Sequence, residues 1–107
     1  MDCYGGQIAN EPEGGSVMFH RNAMAVSQLF TGGWAPEDAQ KNIDWINNTR
    51  KDLVTVSTNG AYVNYCDDAI EDWETAYWGD QYPFLQTIKH RYDPEDVFQF
   101  PQSIRLP

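Results

Sequence analysis

Apolar and small residues fall in short runs broken by glycine, proline and acidic residues, and each run has its own spacing. Ser16 to Phe19 and Ala23 to Thr31 are apolar or small, with Val, Phe and Leu recurring, and Gly32-Gly33 closes the second run; they predict a short strand and a longer one. Pro36-Glu37-Asp38 combines a fixed φ with an acidic first turn, and Ala39, Ile43, Trp45 and Ile46 then give an apolar stripe, predicting a helix from about Pro36 to Leu53. Asn59-Gly60 is a turn signal, and Ala61-Tyr62-Val63-Asn64-Tyr65 after it is rich in strand formers. On such a strand Tyr62 and Asn64 share one face and Val63 takes the other. Asp72 to Trp78 predicts a short helix broken by Gly79-Asp80, and Gln81 to Arg91 a second, with Tyr82, Leu85 and Ile88 on one side and Asp93-Pro94 as its stop. The first fifteen residues hold Gly5-Gly6, Pro12 and Gly14-Gly15 and read as an ordered loop or a loose tail.

The resulting order is loop, strand, strand, helix, strand, helix, helix, tail. It predicts an α+β fold, a small antiparallel sheet with helices packed on one face, in a single domain spanning residues 1–107. Two or three strands barely sustain themselves and leave unpaired edges. A covering partner is therefore expected, either a further domain or a second copy forming a homodimer. Four Trp, six Tyr and five Phe supply large side chains for the core, Trp73 foremost.

Sixteen acidic against seven basic side chains give a formal charge of −9, the wrong sign for tracking phosphates, so nucleic-acid binding is not expected. No apolar run reaches the roughly 18 residues of a membrane helix, and Met1 to Gly6 lacks the basic and apolar regions of a signal peptide. The expectation is a cytoplasmic protein without membrane contact. Cys3 and Cys66 lack CxxC spacing and read as free thiols; His20 and His90 show no zinc pattern, so no metal is expected.

Ala61 to Tyr65, Trp73-Glu74-Thr75-Ala76-Tyr77-Trp78-Gly79-Asp80, Leu85, Lys89, Tyr92 to Phe98 and Gln102-Ser103-Ile104 together resemble the closing signature of berberine-bridge-enzyme-like, FAD-linked oxidoreductases. Tyr4-Gly5-Gly6, Phe19-His20-Arg21, Gln28 and Trp34 stand upstream in the same order. The resemblance implies the C-terminal, substrate-side part of such an enzyme, without the N-terminal domain that holds the flavin. It also implies substrate or flavin-ring contacts for Tyr62 and Asn64, and a substrate-facing polar position for Gln28.

A hydride acceptor cannot be replaced by side chains. Two explanations stand side by side: a piece of a longer oxidase, or a stand-alone relative turned to chemistry without a cofactor, the second favoured by Met1 and a family-like terminus. Some berberine-bridge-like proteins are cyclases, including Diels–Alder types. The sharpest expectation is a cofactor-free hetero-Diels–Alder cyclase of fungal natural-product biosynthesis, acting on an aromatic or terpenoid small molecule. Phe30, Trp34, Asn64 and Trp78 would bind substrate, and His20, Gln28 and Tyr62 would polarise a carbonyl. Orientation alone supplies up to about 7 to 11 kcal/mol in well-oriented intramolecular cases, and one aimed donor about 2.7 to 4 kcal/mol. Against this, each Trp is equally a core residue and His20 a structural one, and a third reading makes the chain a non-catalytic small-molecule-binding module.

Overall fold

The helical predictions map closely onto the computed structural model, which describes all 107 residues. Pro36–Asp38 forms one 3₁₀ turn that runs straight into helix α1 (Ala39–Val54). Proline's φ suits that first turn, and Glu37 and Asp38 place negative charge at its positive end. At the other end the Thr55 N–H and hydroxyl both return to the Asp52 carbonyl, at 3.2 and 2.7 Å. Ala39, Ile43, Ile46 and Leu53 share one side of α1 while Lys41, Asp44, Asn48 and Asp52 share the other, yet the helix buries no residue.

Helix α2 (Trp73–Trp78) stops at Gly79, whose φ of 51° lies in the left-handed region. A Cβ there would also sit 3.0 Å from the Phe19 ring, so glycine meets both a backbone and a packing demand. A 3₁₀ turn (Gly79–Gln81) then leads into α3 (Tyr82–Tyr92), with Pro83 in its first turn and Lys89, His90 and Arg91 at its negative end. The core lies along α2: Ile70, Trp73, Ala76 and Tyr77 are buried, with Ala61, Val63, Trp78 and Tyr82 packed against them. Trp73 meets the Tyr82 ring edge-on at 5.6 Å. Buried Tyr77 accepts from the Asp67 N–H (3.0 Å) and donates to Gln102 Oε1 (3.1 Å), while Gln102 Nε2 donates to the Asp67 carbonyl (2.8 Å). This closed set ties the C-terminal tail to the core.

The sheet is smaller than the sequence predicts. Strand β1 (Asp2–Cys3) pairs antiparallel with β2 (Ala25–Val26), Asp2 opposite Val26 and Cys3 opposite Ala25, and the Tyr4 N–H adds a bond to Met24 at 2.8 Å. The N-terminal segment is thus an ordered edge. The run from Ala23 to Thr31 yields only those two strand residues, because nothing in the chain pairs with Ser27 onward. Ser16 to Phe19 forms no strand; Phe19 instead opens a 3₁₀ turn, Phe19–Asn22. The strand expected over 60–65 is also replaced: the Ala61 N–H goes to the Ala76 carbonyl of α2 (2.8 Å), and the Tyr65 N–H folds back on the Tyr62 carbonyl (2.9 Å). A turn results where β-propensity found no neighbouring strand.

The architecture is α+β, a two-stranded antiparallel sheet with three helices. Six of 107 residues are buried, and the radius of gyration is 16.2 Å, against about 13 Å for a compact chain of about 100 residues. The segments are well ordered locally but share a thin core. No helix is long and apolar enough to cross a membrane.

Candidate functional site

Three consecutive residues, Phe19, His20 and Arg21, join the sheet to the helices. Phe19 lies over Gly79, as above, and stacks at 3.8 Å on the His20 ring. His20 lies flat against Gly60, where any Cβ would overlap the imidazole. Its Nε2–H donates to the Ala61 carbonyl at 3.0 Å. Burial pushes the His20 pKa below the ordinary imidazole value, partly offset by the Ala61 and Ala76 carbonyls. Arg21 donates to the carbonyls of Ile8 (2.8 Å) and Asn10 (3.1 Å) and to Ser16 Oγ (2.7 Å), and pairs with Glu11 at 3.0 Å. It also borders a polar depression of about 400 Å³ with Ser16, Asn22 and Gln81, but its donors are already committed to the chain itself.

Between the sheet and residues 58–62 lies an open cleft of about 50 Å³ lined by Tyr4, His20, Ala25, Gly60, Ala61 and Tyr62, among others. Asn64 Nδ2 donates to the Tyr62 hydroxyl at 2.7 Å. The Tyr62 oxygen is thereby occupied as an acceptor, and its own proton remains available for donation. The Tyr65 ring meets Tyr62 edge-on at 5.3 Å. Burial, and then Tyr62, Asp2 and Tyr65, push the Tyr4 phenol above its ordinary pKa.

Of the residues singled out from sequence, the structure therefore brings His20, Tyr62 and Asn64 together. Gln28 is exposed, and Phe30 (74 % exposed) and Trp34 (43 %) stand on the surface outside the cleft. Trp78 packs against the core with its indole N–H buried and unpartnered. Tyr4 and Gly60 were not marked as site residues, although Tyr4-Gly5-Gly6 and the Asn59-Gly60 turn were the signals available. Cys3 and Cys66 are exposed free thiols, and no cluster of His, Cys, Asp and Glu is arranged to hold a metal.

A family model described as "Berberine and berberine like" matches residues 61–105. Those residues belong to the berberine-like family. The chain is 33% identical over 104 residues to the FAD-linked oxidoreductase YgaK of Bacillus subtilis, covering 97% of this chain and 23% of that protein. It is 30% identical over 115 residues to a carbohydrate oxidase of Microdochium nivale, covering 98% and 23%. Among solved structures it is similar to CrmK, a flavoenzyme involved in shunt product recycling in caerulomycin biosynthesis, with a TM-score of 0.61, 33% identity, and coverage of 69% of this chain and 19% of that one. The berberine-like chain thus spans under a quarter of the length of these relatives.

Whether its residues fit FAD is decided by the cleft. Fifty cubic ångströms is far below the roughly 300 to 1,000 Å³ of a small-molecule site, and no lysine or arginine lines it to meet phosphates. The cleft fits one edge of a ring, and a dinucleotide does not fit this chain alone.

Proposed function

We propose that the chain forms the substrate-side wall of an FAD-linked oxidoreductase whose flavin is held elsewhere, with Tyr62, Asn64, His20 and Tyr4 as the polar groups of that wall. The supporting observation is the open cleft: a wall with ordered, mutually hydrogen-bonded polar groups and too little enclosed space to act alone. Similarity over 97% of the chain to a relative of which it spans 23% agrees with that role.

On this reading Tyr62 presents its hydroxyl proton to a ring-bearing small molecule, because Asn64 already donates to its oxygen. His20 holds the Gly60-Ala61 backbone from which Tyr62 projects, and its Nε2–H is spent on that task. His20 therefore positions Tyr62 and is not a proton donor to substrate. The test is a carbohydrate oxidase of Microdochium nivale whose matched segment is exchanged for residues 1–107. The expected result is a flavin-loaded chimera that oxidises sugar, with Tyr62→Phe lowering kcat by about 10²-fold or more while flavin is retained. Flavin loading with turnover indifferent to Tyr62→Phe would remove Tyr62 from the site.

A second reading, a cofactor-free cyclase, is favoured by the exposed aromatic side chains of Phe30 and Trp34, available to a second copy that would close the cleft. It predicts a homodimer that alone converts a heterodiene substrate. Substitution of His20, Gln28, Tyr62 and Trp34 would then change its product ratio.

A further inference from the structure

The loop after α3 is held rigidly and yet displays apolar side chains. Asp93, 8 % exposed, accepts from the N–H groups of Val97 (2.8 Å) and Phe98 (3.0 Å) and pairs with Lys89. Lys89 also reaches Asp96 at 2.7 Å and the Phe98 carbonyl at 2.6 Å. Asp96 has a φ of 52°, a left-handed conformation that a non-glycine residue keeps only when its surroundings impose it. All these bonds point inward, while Val97 (67 % exposed), Phe98 (78 %), Phe100 and Tyr92 point outward. A fixed backbone carrying a cluster of bare aromatic and aliphatic side chains has the anatomy of a preorganised binding anchor, since little freedom is lost when it docks.

Resting on the function proposed above, we infer that this knob, residues 92–100, seats the chain on the larger, flavin-holding part of the oxidoreductase. Three observations select that occupant. The knob lies inside the berberine-like segment 61–105, so it is a part of the chain shared with proteins in which more than three quarters of the sequence lies elsewhere. The chain's conformation matches a piece of a whole flavoenzyme, CrmK, at a TM-score of 0.61. The knob's own charges are neutralised internally by the Lys89 pairs, which leaves an apolar tip suited to a dry contact.

The experiment compares Val97→Ser/Phe98→Ser in two settings: the 107-residue chain by itself, and the flavin-loaded carbohydrate-oxidase chimera. In the chain these side chains already face water, so its unfolding midpoint is expected to stay within a degree or two. In the chimera the midpoint is expected to fall by several times as much, with flavin lost on dilution. A chimera that holds flavin and tolerates both serines overturns the docking surface and leaves the proposed function standing. One that never loads flavin, with or without the serines, fails the proposed function instead. Sedimentation of the isolated chain supplies an independent check. If it is a dimer that the two serines convert to monomer, a second copy is the occupant and the inference falls.

Discussion

Tyr77 shows how much one hydroxyl contributes in so small a core. Only 3 % exposed, it satisfies both the Asp67 N–H and the Gln102 amide oxygen. Tyr77→Phe keeps the ring and strands those two groups, so about 1–3 kcal/mol of stability should be lost, read as a fall in Tm of several degrees in thermal unfolding. His20 makes a pH-dependent contribution of calculable sign. Its folded pKa is lowered, so stability is complete above the ordinary imidazole value of about 6.5 and declines as pH falls from there through the lowered value. In His20→Gln that decline should be absent, and equal slopes in wild type and variant would show that His20 is not held neutral by burial. Residue-scale readings from sequence succeeded where a chemical type met one demand, as with Trp73 in the core. They failed at Tyr4 and Gly60, because nothing local records that residues 4, 20 and 60 meet.

At the scale of elements, the end of α3 depends on one ion pair. The Lys89 hydrogen bond, together with the Val97 and Phe98 N–H groups, holds the Asp93 carboxyl below the usual carboxylate range, while Asp93 and Asp96 hold Lys89 above the usual ammonium value. The Asp93 contribution is present above about pH 3.9 and fades as pH falls through its lowered pKa. The Lys89 contribution is present below about pH 10.4 and fades as pH rises through its raised one. Asp93→Asn should destabilise the chain at neutral pH and flatten the acid limb of its stability curve, measured by urea titrations across pH. Helices were legible because their information is local: Pro36-Glu37-Asp38 starts one, Gly79 ends another and Asp93-Pro94 follows a third. Strands were not. Tyr62 to Tyr65 has strand composition, but a strand needs a neighbour, and the Ala61 N–H found a helix carbonyl instead.

For the whole molecule, the thin core and the bare faces of α1, Phe30 and the 92–100 knob describe a surface meant to be covered. If the covering belongs to a flavin-holding part, the isolated chain should unfold in a broad transition whose midpoint is insensitive to its own concentration. A sharp midpoint rising with concentration would signal a self-sufficient oligomer and favour the cyclase reading. The fold class was legible from the order of elements. The extent of the sheet was not, because strand residues from Ser27 onward find no pairing partner within these 107 residues.

Trp78, with its indole N–H buried and unpartnered, and Trp73, inside the core, sit in dry surroundings, whereas Trp34 and Trp45 are open to solvent. The chain therefore carries two optical populations of its own. The shielded pair should emit to the blue and resist collisional quenchers, reporting whether the core is intact. The open pair should emit to the red and be quenched readily, reporting whether a surface has been covered. Folding and docking become separable signals in one unlabelled sample.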